Sequence, residues 1–188
     1  MKSLIQLLNE SLINEAQDEK AVEILNFIEA NYDTAGKKVT VKFDKKIGTY
    51  VVNSRGYISL IDSNLESLTN GEFVWGSVMG MSIDNCNNLT SLEGFPMTIN
   101  GTSISVSNCD NLTSLEGITQ SLDFYKRTTV FIEKNKNLKS YDYLPKYASA
   151  IYWVKNGIDI DAKTKKALIK ELSYSNKLVS IYTERHGV

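Results

Sequence analysis

Two ten-residue stretches, NCNNLTSLEG at 85–94 and NCDNLTSLEG at 108–117, share nine of ten letters and lie 23 residues apart. A unit of that length cannot bury its apolar residues alone. It must stack on its neighbours, so the period predicts a solenoid. Alignment on the Asn-Leu pair extends the series to Asn64-Leu65, Asn88-Leu89, Asn111-Leu112 and Asn137-Leu138, at spacings of 24, 23 and 26 residues. The two clean copies read Ile83-x-x-Cys86-x-x-Leu89-x-x-Leu92-Glu93-Gly94 and Val106-x-x-Cys109-x-x-Leu112-x-x-Leu115-Glu116-Gly117. A looser copy follows, Ile132-x-x-Asn135-x-x-Leu138 and then Tyr141; a degenerate one with Leu65 and Leu68 precedes, and Ile151 to Ile158 makes a last partial copy.

Each column has a physical task. The apolar positions point inward and stack on their counterparts in the next coil. Gly94 and Gly117 stand where a side chain would clash or where φ must be positive. The Cys86, Cys109 and Asn135 column takes a small buried side chain able to bond the turn backbone. Between the turns, EFVWGSVMGMSID, MTINGTSISVS, TTVFIEK and SAIYWVK alternate with period two, as strands do. INGT at 99–102 reads as a turn, so each coil is expected to carry two strands rather than a strand and a helix. KVTVKF and TYVVN read as a hairpin around Lys45 to Gly48 that covers the first open edge.

With these columns, about residues 56–158 resemble a leucine-rich repeat of the LTSLEG type, common in phage and bacterial proteins. Leucine-rich repeats place Asn or Cys at the position held here by Cys86, Cys109 and Asn135. The ends read as helical. Leu4, Ile5, Leu8 and Leu12 recur at helical spacing, as do Ala21, Val22, Ile24, Leu25 and Ile28. Asp161 is placed to cap AKTKKALIKEL, with Ala167, Leu168 and Leu172 as the buried stripe, and KLVSIYT at 177–183 reads as a closing strand. The expected organisation is a helical segment over 1–35, a solenoid with an N-terminal hairpin cap over 36–160, and a C-terminal helix and tail over 161–188. The fold class is α+β: a short β-rich leucine-rich-repeat solenoid with N-terminal helices and a C-terminal capping helix.

At 188 residues the chain can bury a real core, and 42% hydrophobic with 23% charged residues is the balance of a globular protein, not a disordered one. A net charge of −1 gives no basis for a nucleic-acid or membrane partner. The charge is unevenly placed: seven acids against Lys2 and Lys20 in 1–35, and six bases against three acids in 161–188. Two solvated helical faces account for this, as would attraction between the ends or two different partners.

Candidate chemistry is sparse. Two cysteines and one histidine argue against a disulfide-dense scaffold and against a Cys/His zinc site. His186 reads as a solvated terminal residue; no second histidine is available to activate a serine. EGFPMTING lacks the lysine of a phosphate loop, and DSNLESLTNGE has the wrong order for a calcium loop. No catalytic residue, metal or cofactor is therefore expected. Cys86 and Cys109 should lie close together, and a packing column favours free thiols over a disulfide. No apolar run reaches the roughly 18 residues of a membrane span. MKSLIQLLNESLINE has no small-residue cleavage site, so an intracellular protein with reduced thiols is expected.

With Ile83, Val106 and Ile132 inward, the outward pairs are Ser82/Asp84, Ser105/Ser107 and Phe131/Glu133, and Tyr152 continues the row. The 26-residue spacing adds about three residues within SLDFYKRTT, which carries Tyr125, Lys126 and Arg127. Tyr125, Lys126, Arg127, Phe131, Glu133 and Tyr152 form the candidate protein-binding patch, since aromatic and Arg side chains on a rigid ladder suit recognition. The competing reading has the C-terminal helix covering Phe131 and Tyr152.

LLNESLINEA holds Leu8-Asn9-Glu10 and Ile13-Asn14-Glu15, followed by Ala16. It resembles the capsid-targeting segment of tailed-phage internal proteins, a short amphipathic helix cut after a [Leu/Ile]-x-Glu triplet. The resemblance implies processing between Glu15 and Ala16, with Ile13 in the recognised triplet, and packaging in a virion. The plain alternative is a helix packed on the solenoid. Together these features lead to a non-enzymatic module, phage-encoded, that binds a host defence or virion protein in the host cytoplasm. A structural virion component, or an enzyme using the basic C-terminal region, are the alternatives.

Overall fold

A computed structural model describes residues 19–118, 128–138, 143 and 150–154, the last five by their backbone course. The expected segments at 1–18 and 161–188, and the loop carrying Tyr125, Lys126 and Arg127, lie outside the described residues. Within them the chain is mostly β with one helix, α1 (residues 19–31). The strands are β1 (Val39–Asp44), β2 (Thr49–Ser54), β3 (Tyr57–Ile61), β4 (Phe73–Trp75), β5 (Ser77–Asp84), β6 (Thr98–Ser107), β7 (Thr129–Glu133) and β8 (Ala150–Val154). They form a three-stranded sheet, β1-β2-β4, and a five-stranded sheet, β3-β5-β6-β7-β8. The five-stranded sheet is parallel throughout, and β2 pairs parallel with β4. The arrangement is β-solenoid-like, of about three turns.

The expected hairpin is present as β1 and β2, closed by Gly48 N–H on the Asp44 carbonyl at 2.8 Å. Its second strand has a larger part than a cap: β2 belongs to the first coil, with β4 stacked on it. INGT is not a turn. β6 runs unbroken through it, and the register against β5 slips between Val78 and Gly80. The cause is Gly101, where a Cβ would lie 1.4 Å from the Met79 carbonyl oxygen. Lacking that atom, the backbone lies flat on its neighbour, and one ten-residue strand spans what β4 and β5 cover with a break at Gly76.

The residue just past β3, β5, β6 and β7 adopts a left-handed conformation: Asp62 (φ 51°), Asn85 (53°), Asn108 (53°) and Lys134 (53°). Asn and Asp tolerate that region better than other side chains. In the first three the amide bonds the next coil: Asp62 to Asp84 O at 3.0 Å, Asn85 to Ser107 O at 3.1 Å, Asn108 to Glu133 O at 3.1 Å. Gly71, Gly94 and Gly117 close the same turns at φ 82°, 84° and 96°. At Gly117 a Cβ would also sit 2.3 Å from the Leu92 carbonyl oxygen.

Leu89, Leu92, Leu112 and Leu115 are fully buried, as are Ile83, Val106, Cys86 and Cys109. Removing each such leucine side chain from water contributes about 1.5–3 kcal/mol, which is what makes stacking obligatory. Asn135 takes the third place in the cysteine column, buried, as its position in the repeat predicts. The helix α1 joins the same core through Ile24 and Ile28, with Ala21 and Phe27 packed beside them. Val22, which shares the helical spacing, is 54% exposed. It falls off the stripe because the burial runs along Ala21, Ile24 and Ile28, at spacings of three and four. Edge-to-face contacts fix the helix: Phe27 on Phe73 at 6.0 Å and Tyr32 on Trp75 at 5.3 Å. The buried Tyr32 hydroxyl donates to the Leu68 carbonyl at 2.5 Å.

Candidate functional site: the outer face of the parallel sheet

The parallel register aligns residues in rows across the coils. One row is Ser59, Ser82, Ser105, Phe131 and Tyr152. A second is Ile61, Asp84, Ser107, Glu133 and Val154. A third begins Tyr57, Gly80, Ser103, Thr129. Ser105 sits beside Phe131 and Ser107 beside Glu133, as alternation from the inward Val106 and Ile132 requires. Phe131 and Glu133 are half-buried on this face. Tyr152 pairs in register with Phe131 by its backbone. Tyr125, Lys126 and Arg127, and Ile13, Glu15 and Ala16, lie outside the described residues.

The middle of the face is built of small side chains, and two residues there are held in place. Asp84 Oδ1 accepts from the Ser107 hydroxyl at 2.7 Å and from Asn108 Nδ2 at 2.7 Å. Beyond the strands the same spacing makes a ridge of amide ladders: Asn88 Nδ2 donates to Asn64 O at 2.9 Å and Asn111 Nδ2 to Asn87 O at 2.7 Å. Asn87 Oδ1 accepts from the Asp110 amide at 2.9 Å. The ridge is polar, and its side chains are bonded to the backbone of the neighbouring coil.

The end of the face remote from Phe131 has its own aromatic boundary, which inspection of the repeat columns alone did not bring out. Tyr57 is 38% exposed and Ile61 54%. The Tyr57 ring lies across Gly80, where a Cβ would come within 2.4 Å of it. Its hydroxyl bonds Thr102, and that bond lowers the Tyr57 phenol below its ordinary value. The signal was available: Tyr57 stands 23 residues before Gly80 and 46 before Ser103, one and two repeat periods. Beside it, Asp33 and Ser59 exchange backbone hydrogen bonds of 2.9 and 2.8 Å, which covers part of the β3 edge.

Cys86 and Cys109 stack in the core as free thiols. Cys109 is pushed up, first by its hydrogen bond to Cys86 and then by burial, which makes it a poor nucleophile. Among the described residues no three His, Cys, Asp or Glu side chains group as a metal site, and no helix is long and apolar enough to cross a membrane. No protein-family model, curated protein or solved structure matches the chain.

Proposed function

We propose that this chain is a non-enzymatic protein-binding module of the leucine-rich-repeat type, phage-encoded, acting on a host defence protein or a virion protein. The binding surface is the outer face of the five-stranded sheet at its Phe131 end, extended by Tyr125, Lys126 and Arg127. One observation carries the reading: a flat row of serines, Ser59, Ser82 and Ser105, ends in register on Phe131 and Tyr152. A rigid platform with small residues at its centre and aromatic residues at its margin recognises a partner without reorganising itself. The doubled LTSLEG repeat supports the phage assignment, and on this reading residues 1–15 are a packaging address.

The test is capture of partners from bacterial lysate and from phage particles on the immobilised full chain, with identification by mass spectrometry. Affinity for the captured partner is then measured for Phe131→Ala, Tyr125→Ala and Arg127→Ala. Each hot spot should weaken binding by about 1–3 kcal/mol. A partner that binds all three variants as tightly as the parent chain is incompatible with this face.

A further inference from the structure

The hairpin carries a second surface that the outer-face reading does not use. The segment 37–46, KKVTVKFDKK, holds Lys37, Lys38, Lys42, Lys45 and Lys46 against Asp44 alone, in a chain whose net charge is −1. All five lysines are exposed. The register Val39↔Ser54 sets the exposed Arg55 beside the Lys38 end of the hairpin. Among the described residues none of these cations makes an ion pair. They are spread from just before β1 to just past it.

That strand is an edge. β1 pairs only with β2 among the described strands, so on its other side no described strand pairs with its backbone. The inward residues Val39 and Val41 pack on the core and hold the strand straight. At its turn end, Phe43 is 37% exposed, with its ring edge-to-face on Tyr50 at 5.2 Å, and Ile47 is 49% exposed. Charged side chains, lysine above all, keep an edge from pairing with a copy of itself. Five lysines with an apolar pair at one end do more: they repel cationic or identical strands and attract an anionic one.

We infer that the β1 edge is a docking strip for an extended acidic peptide segment, which adds as a strand to the three-stranded sheet. Its backbone takes up the open donors and acceptors of β1. Its carboxylates meet Lys38, Lys42 and Lys45, and its apolar side chains meet Phe43 and Ile47. The strip lies on the other sheet from Phe131, so it stands or falls independently of the outer-face reading.

The experiment titrates the full chain into a labelled peptide of alternating glutamate and valine and reads fluorescence anisotropy. A peptide of the same composition interrupted by proline, a lysine/valine peptide and vesicles of anionic phospholipid run alongside. The alternating acidic peptide should bind. The proline-interrupted one should bind about tenfold or more weaker, since it cannot continue a ladder. Lys38→Glu/Lys42→Glu/Lys45→Glu should abolish binding, and the matching triple arginine variant should retain it. Circular dichroism checks that both variants fold. Equal binding of the two acidic peptides would reduce the strip to a charge effect and overturn the proposal. So would binding that survives charge reversal, or association with the vesicles but not with the peptide.

Discussion

Asn135 and Cys109 share a hydrogen bond that joins two coils: Asn135 Oδ1 accepts from the Cys109 amide N–H at 2.9 Å. The same side chain donates from Nδ2 to the Val106 carbonyl at 3.0 Å. Where the two preceding coils put a thiol, the third puts an amide that serves two buried backbone groups at once. Asn135→Ala should therefore destabilise the protein by about 2–6 kcal/mol, because each of the two backbone groups left unpaired costs about 1–3 kcal/mol. Asn135→Leu should do no better, since bulk does not replace either bond. Urea denaturation of the two variants checks this; a loss under about 1 kcal/mol for either contradicts the account.

Two glycines separate close approach from backbone conformation. Gly101→Ala sets a Cβ 1.4 Å from the Met79 carbonyl oxygen, with no flexible side chain to give way. A loss of about 3 kcal/mol or more, or failure to fold, is expected. Gly71→Ala meets nothing within 4 Å, and only its φ of 82° opposes the substitution. Its cost should be about 1–2 kcal/mol. Thermal or urea unfolding that ranks the two in the opposite order would be inconsistent with the stacking described.

Cys86 and Cys109 are fully buried, so a thiol reagent reaches them only through unfolding. Denatured, unreduced protein should show two free thiols, and native protein should react at a rate set by its opening. Rapid modification of the native protein, or a count of zero after denaturation, would each contradict the buried free pair.

Alkaline pH should weaken the fold in part through Tyr32. Burial raises its phenol well above the ordinary value, and the hydroxyl must stay protonated to donate to Leu68 O. The unfolded chain releases this proton above about pH 10 while the folded chain keeps it. Stability is thus complete below that pH and falls as pH rises, by up to about 1.4 kcal/mol per pH unit from this group. Tyr32→Phe should start less stable near neutral pH, by about 1–3 kcal/mol for the unpaired carbonyl. Its alkaline decline should be shallower than that of the parent chain. Parallel declines would assign the effect to other groups.

The repeat spacing made the stacked leucines, the cysteine column and the outward register of Phe131 and Glu133 legible, because each follows from period and alternation alone. The course of β6 through Asn100 and Gly101 was not legible. An Asn-Gly pair has the chemistry of a turn, and only the adjacent Met79 carbonyl decides that the glycine serves closeness instead. The place of β2 in the first coil was hidden for a related reason: a hairpin partner is local in sequence, whereas its parallel neighbour β4 is not. Helical spacing groups Val22 with Ile24 and Ile28 but does not say which of them face the core; Phe27 against Phe73 marks the buried side. Lys42 of β1 and the lysines flanking it carry no periodic signal; their meaning depends on which strand ends a sheet.

Near-identity of the two turns at 85–94 and 108–117 poses a problem during folding. A strand arriving from the C-terminal side meets two landing places with almost the same leucines, glycine and amide ladder. Docking one coil too early would skip a whole turn while satisfying nearly every local contact. Two features tell the places apart. β6 alone carries Gly101, whose carbonyl accepts from the buried Thr128 hydroxyl at 2.8 Å just before β7 begins. And the Asn135 amide finds the Cys109 N–H and Val106 carbonyl in a geometry that β6 supplies. The irregularities are therefore the checksum of the repeat: regularity lets coils stack, and Gly101, Thr128 and Asn135 make them stack in the right order.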